Sequence, residues 1–178
     1  MVVAVKSHTS PRLSRRRRAV LLTVHVVMSV GWLGVDGALV ALEATSLSTV
    51  HPAVRAGIAT ATAVIAVWVL VPVVFFSLAS GLVLALSTRW GLVRYWWVIA
   101  KCGIAAVLTI AGLMVLVPVL PRILAGGGNP AGMPTLIARS GALVLLLVAT
   151  GLSVVKPWGK TPRGRKAHKR LSIPIQQK

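Results

Sequence analysis

Four stretches of this 178-residue chain are apolar over lengths that a soluble domain rarely sustains: residues 19–44, 56–86, 96–117 and 135–155. A helix rises about 1.5 Å per residue, so roughly 20 apolar residues cross the hydrocarbon of a bilayer. Each stretch meets that length. Inside hydrocarbon every backbone N–H and C=O needs an internal partner, which leaves helices and closed barrels as spanning structures. The two-residue alternation of a barrel strand is absent from all four. The expected fold is therefore all-α, a polytopic membrane protein built as a four-transmembrane-helix bundle with short loops. Residues 19–155 form its single domain, between basic arms at 1–18 and 156–178.

Charge supports this reading. Only two acidic residues stand against 20 Lys and Arg, and charged residues make up 12% of the chain, about half the usual share of a soluble domain. The basic residues crowd into the two arms instead of forming a patch interleaved with aromatics, so nucleic acid is not the expected partner. Lys6, Arg12 and Arg15 to Arg18 precede the first run, Arg89 and Arg94 lie between the second and third, and the tail from Lys156 carries eight more. The other two loops carry only Arg55 and Arg122. Positive charge collects on the cytoplasmic side, which predicts both termini and the middle loop there. Trp90, Tyr95, Trp96, Trp97 and Trp158 fall at the same end, where an aromatic belt belongs. The expected location is a bacterial plasma membrane, with anionic lipid headgroups as partners of the basic tail. The first run is too long for a cleaved signal peptide, and Leu42-Glu43-Ala44 lacks the small residue a cleavage site requires. Pro72 lies mid-way in the second run and predicts a kinked helix. The Gly126-Gly127-Gly128-Asn129-Pro130 segment lacks the Gly-Lys-Ser/Thr ending of a phosphate loop and reads as a turn.

Ionisable groups within a span are costly and face protein or a water-filled cavity. On the first helix they are His25, Asp36 and Glu43. At about 100° per residue, Trp32 and Asp36 flank His25 by roughly 20° on either side, and Glu43 falls in line with it. Ser29 lies about 40° away. One narrow stripe therefore holds every strongly polar group of the helix. Counting inward from the span ends places His25 level with Lys101 at one depth and Asp36 level with Arg139 at another. Asp36 and Arg139 are expected to form a structural ion pair between the first and fourth helices. Lys101 reads either as a snorkelling lysine or as a ligand-facing one, and His25 either as a packing residue or as a cofactor ligand or proton carrier. The lone Cys102 excludes an internal disulfide and reads as an inert thiol. Met28, Met114 and Met133 form no cluster for a soft metal. Glycines such as Gly31 and Gly34 suit close helix approach, and would leave room for a flat ligand beside Trp32.

The stretch His25-Val-Val-Met-Ser-Val-Gly-Trp32-Leu-Gly34 and the run Tyr95-Trp96-Trp97-Val98-Ile99-Ala100-Lys101 resemble the first and third helices of a superfamily of small bacterial four-helix membrane proteins. It includes HemJ-type protoporphyrinogen oxidases, CopD-type copper-resistance domains and uncharacterised actinobacterial families. Pro72 to Gly81 and the Arg89-Trp90-Gly91-Leu92 turn look closest to an uncharacterised family of that group. The resemblance implies a b-type haem served by His25 as iron ligand and by Lys101, with Trp32 beside it and Arg94 near the propionates. Val35-Asp36-Gly37 departs from the HemJ-type pattern after the tryptophan, and no second histidine lies within a span. Three roles follow as expectations: a structural or accessory membrane component working with a membrane-protein partner or as a homo-oligomer, a haem-binding redox or porphyrin-handling protein, and a carrier of a small solute or metal. No catalytic residue is assigned.

Overall fold

The computed structural model describes residues 14–87, 95–128, 132–155, 159, 161, 162 and 165, and these are helical without a strand. The helices are α1 (Arg15–Ser48), α2 (Pro52–Val64), α3 (Val71–Ser87), α4 (Trp96–Leu124) and α5 (Met133–Val155). A π-helical turn, Ile65–Leu70, joins α2 to α3, so that Pro52–Ser87 is one continuous rod. Four helices are then long and apolar enough to cross a membrane. Arg94, the Arg89 turn and most of the basic tail lie outside the described residues.

The rods run longer than the apolar runs alone suggest. With 34 residues, α1 measures about 51 Å, well beyond a ~30 Å hydrocarbon layer. Its first turn holds Arg15 to Arg18, capped by Ser14, whose Oγ accepts the Arg17 N–H at 3.3 Å. Four cations at a helix N-terminus oppose the macrodipole, so their placement answers to the surroundings of that end and not to helix stability. At the far end, α4 continues through Pro118 and Pro121 to Leu124. These prolines withhold the N–H groups that would reach Met114 and Val117, and the helix closes with Gly126 at φ +83°, the left-handed geometry that favours glycine after a helix.

Pro72 lies just beyond a π turn of the rod. Its ring cannot supply the N–H for the Trp68 carbonyl. Just before it the backbone widens, and the Val71 N–H donates to Ala66 O, five residues back. A π turn of this kind absorbs the missing bond without breaking the rod.

The assembly is organised around α1, which packs along α3 and α5 and, at its C-terminal end, against α2. Peripheral α4 lies beside α5 and touches α2 only near the 125–128 turn. There Gly128 sits so close to Ala59 that a Cβ would come within 2.7 Å of it, a contact only glycine permits. Trp32, Asp36, Leu39, Glu43 and Ser46 of α1 are all buried. Their spacing of four, three, four and three residues extends back through Ser29 to His25, giving one seam that faces the neighbouring helices. Outward faces are apolar and bare: Trp68, Phe75, Ile110, Met114 and Ile137 are all exposed. A chain that buries its carboxylates and exposes its large hydrophobic side chains suits an apolar solvent.

Candidate functional site

Near the N-terminal end of α1 the seam is neutral and held by hydrogen bonds to α3. His25 Nδ1 lies 3.0 Å from the Ser77 carbonyl and 3.3 Å from Ser80 Oγ. A carbonyl only accepts, so Nδ1 carries the hydrogen. The Ser80 hydroxyl is already committed to the carbonyls of Phe76, at 2.6 Å, and Ser77, at 3.1 Å. In a neutral imidazole this assignment leaves Nε2 as the bare acceptor, and it has no hydrogen-bond partner among the described residues. One turn on, Ser29 and Ser77 hydroxyls meet at 2.9 Å. The ring lies flat on α3 where Gly81 leaves space; a Cβ there would stand 2.8 Å from His25 Cε1.

Lys101 is the residue that the sequence sets level with His25. Its ammonium, however, donates to Ser153 Oγ on α5, and that hydroxyl in turn donates to Ala149 O at 3.0 Å. The two groups are therefore held by different helices, His25 by α3 and Lys101 by α5. Trp32 is 8% exposed in the seam. Gly31 faces Val73, while Gly34 opens onto no neighbour within 4 Å and is exposed. The open space beside Gly34 is thus on the outer surface of the assembly. Cys102 is exposed, and among the described residues no three His, Cys, Asp or Glu side chains are grouped to hold a metal ion.

Toward the C-terminal end of α1 the seam is charged. Arg139 of α5 reaches two carboxylates at once: Nε donates to Glu43 Oε1 at 2.7 Å, and Nη1 stands 3.8 Å from Asp36 Oδ1. The stronger contact is therefore with Glu43, not with Asp36. The register explains why. Gly37 faces Leu143, and in an antiparallel pair Arg139, one turn earlier on α5, then lies opposite a point between the two acids. Depth counted from the run ends placed it one turn too near Asp36. The remaining oxygens, Asp36 Oδ2 and Glu43 Oε2, are buried without a hydrogen-bond partner, as is Thr62 Oγ1 of α2.

Compared with known proteins, the chain matches no family model, and no curated protein or solved structure is significantly similar to it.

Several participants escape a reading of α1 alone. Ser77, Ser80 and Gly81 lie within an apolar rod, and small polar residues three or four apart on a spanning helix are a signal for a polar neighbour. Ser153 on α5 carries the same signal for Lys101. Glu43 was visible in the stripe but was given no partner.

Proposed function

We propose that this chain is a multi-pass integral membrane protein of a bacterial plasma membrane, with both termini cytoplasmic, that serves as a structural or accessory component. The observation that carries this reading is the seam of α1. His25, Ser29, Asp36 and Glu43 each spend their strongest interaction on α3 or α5. Such polar clamps fix which helices are neighbours, since in lipid the hydrophobic effect does not drive helices together. The broad apolar exterior, and α4 in particular, is covered by lipid or by a membrane-protein partner or second copy. Anionic headgroups hold the basic arms. The test is purification from a bacterial membrane in mild detergent followed by mass determination and identification of co-purifying chains. Stable recovery with a defined stoichiometric membrane partner or as a homo-oligomer is expected; a bare monomer that catalyses a reaction alone would sink the accessory role.

A second reading, haem binding in the manner of HemJ-type proteins, has one specific observation behind it. A histidine whose Nδ1–H is tied to a backbone carbonyl presents an oriented Nε2 lone pair, the arrangement seen behind metal-ligating imidazoles. His25 thus fits an axial donor, whereas Lys101 is engaged by Ser153 and Arg94 lies outside the described residues. A haem there would supply one-electron chemistry. The test is a reduced-minus-oxidised absorption spectrum of protein produced with haem available, beside His25→Ala. A Soret band lost in the variant supports the reading, and a flat spectrum from folded protein removes it.

A further inference from the structure

We propose that Asp36, Glu43 and Arg139, together with the Thr62 hydroxyl, form a binding site for one exchangeable monovalent cation, a proton or an alkali-metal ion. The first step is a charge count. Two carboxylates face one guanidinium, so the ionised cluster is left with one negative charge. Asp36 and Glu43 are 4% and 1% exposed, and on the membrane reading that surplus charge sits among apolar helices, where an uncompensated ion costs several kcal/mol. No other base among the described residues reaches either acid. From α5 the cluster is faced by Arg139 alone. On α2 the nearest charge, Arg55, spends its Nε on the carbonyls of Ser46 and Thr49, at 3.1 Å each, and His51 sits at the exposed turn beyond it. The Ile65–Leu70 turn and α3 carry no ionisable residue, and α4 packs chiefly on α5, where Lys101 is held by Ser153.

The second step is the set of atoms left over. Arg139 satisfies one oxygen of each acid, and the other oxygen of each is buried with nothing to bond. Buried polar atoms of this kind point to a missing small partner. Thr62 supplies an independent sign. Thr23, Thr45, Thr60, Thr109 and Thr150 all donate to the carbonyl four residues back, the usual resting place for a hydroxyl on a helix. Thr62 does not, although it is 2% exposed and its Oγ1 is buried. Its hydroxyl is therefore buried on α2 without the partner a helical threonine usually takes. With Ser46 bonded by Arg55 and Gly31 facing Val73, the antiparallel register sets Thr62 at the level of Leu39 to Glu43. An oxygen from α2 thus lies level with the unpaired carboxylate oxygens of α1, and three hard oxygens beside a surplus negative charge suit H⁺ or Na⁺.

The composition makes the test unusually direct, because Asp36 and Glu43 are the only acidic side chains in the chain. Full-length protein in phosphatidylcholine vesicles, whose lipid contributes no carboxylic acid, is followed by infrared difference spectroscopy on changing pH, and in parallel by radiolabelled Na⁺ binding. A side-chain carboxyl C=O band corresponding to one proton per folded chain, lost in Asp36→Asn or Glu43→Gln, identifies the ion as H⁺. Saturable Na⁺ binding near one per chain, lost in the same variants, identifies it as Na⁺. Thr62→Val preserves shape and all three charges, so it keeps the test open should the acid variants fail to fold. It is expected to shift the C=O band or to weaken Na⁺ binding several-fold. Two ionised carboxylates across the whole pH range of the folded state, with no saturable Na⁺ binding, would overturn the proposal. An unchanged Thr62→Val would overturn the site as drawn here.

Discussion

The two ends of the α1 seam solve the same problem with different chemistry. Near its N-terminal end, His25 and Ser29 meet Ser77 and Ser80 through neutral hydrogen bonds, and the ring is seated on Gly81. Near its C-terminal end, Asp36 and Glu43 meet Arg139 through ion pairs, with two oxygens left over. A neutral network of small side chains can be closed locally and costs little if one member is lost. A charged one holds more tightly but transmits the loss of any member to the rest, since each remaining charge is then buried alone. The comparison predicts a steep gradient of mutational cost along one helix.

The largest effect is expected at Arg139. Arg139→Met keeps much of the length and apolar stem of the side chain while leaving two buried carboxylates without a counter-charge. Its cost should be about 3–5 kcal/mol, read as a lower denaturation midpoint in detergent or nanodiscs. A variant as stable as the parent would show that the ion pairs are incidental and would erase the contrast between the two ends.

Next comes the inequality between the acids. Glu43→Gln breaks the 2.7 Å charge-assisted bond and should cost about 1.5–3 kcal/mol. Asp36→Asn removes a carboxylate held at only 3.8 Å together with the surplus negative charge. It should cost less than about 1 kcal/mol, at the weak end of what an ion pair contributes, and a small gain is consistent with it. The same denaturation measurement decides; the reverse order would make Asp36 the principal anchor.

How much of this arrangement was legible in the sequence follows from what each signal depends on. Helix number and the buried face of α1 come from run length and a 100° periodicity, both local quantities, and the stripe through His25, Asp36 and Glu43 is the face that α1 turns to its neighbours. Partner choice is not local. It depends on the register between helices, which a run boundary locates only to within a turn. That is why Arg139 appeared level with Asp36 when its short bond goes to Glu43, and why Lys101 appeared level with His25 when its ammonium donates to Ser153. The π turn before Pro72 escaped for a related reason. A proline announces that one backbone bond is missing, but whether the rod kinks or widens depends on what packs beside it.

A smaller effect tests how closely the neutral end is packed. Gly81→Ala would bring a Cβ to 2.8 Å from His25 Cε1, so the ring must move and its bond to the Ser77 carbonyl must stretch. Overpacking of this kind costs about 1–3 kcal/mol. In a His25→Ala background the same methyl finds the space the ring has vacated, and the penalty should disappear. Such a cycle separates a clash with the imidazole from any general intolerance of alanine in α3. Additive penalties would mean that His25 does not rest on Gly81.

The smallest effect falls on the serines. Ser29→Ala removes one partner of the hydroxyl pair with Ser77, but the Ser77 hydroxyl can swing back toward a carbonyl of its own helix, as Ser80 and Ser153 already do. Interhelical hydrogen bonds of this type average about 0.6 kcal/mol in a membrane protein for that reason, because a lost partner is replaced within the same chain. Ser29→Ala should therefore shift the denaturation midpoint by only a fraction of the Arg139→Met shift. A cost approaching that of Arg139→Met would mean that Ser77 has no alternative acceptor. The serine pair would then anchor the His25 carbonyl contact as firmly as charge anchors the other end. The distinction between a forgiving neutral end and an unforgiving charged end rests on this ratio, and it can be measured with two substitutions, Ser29→Ala at one end of the seam and Arg139→Met at the other.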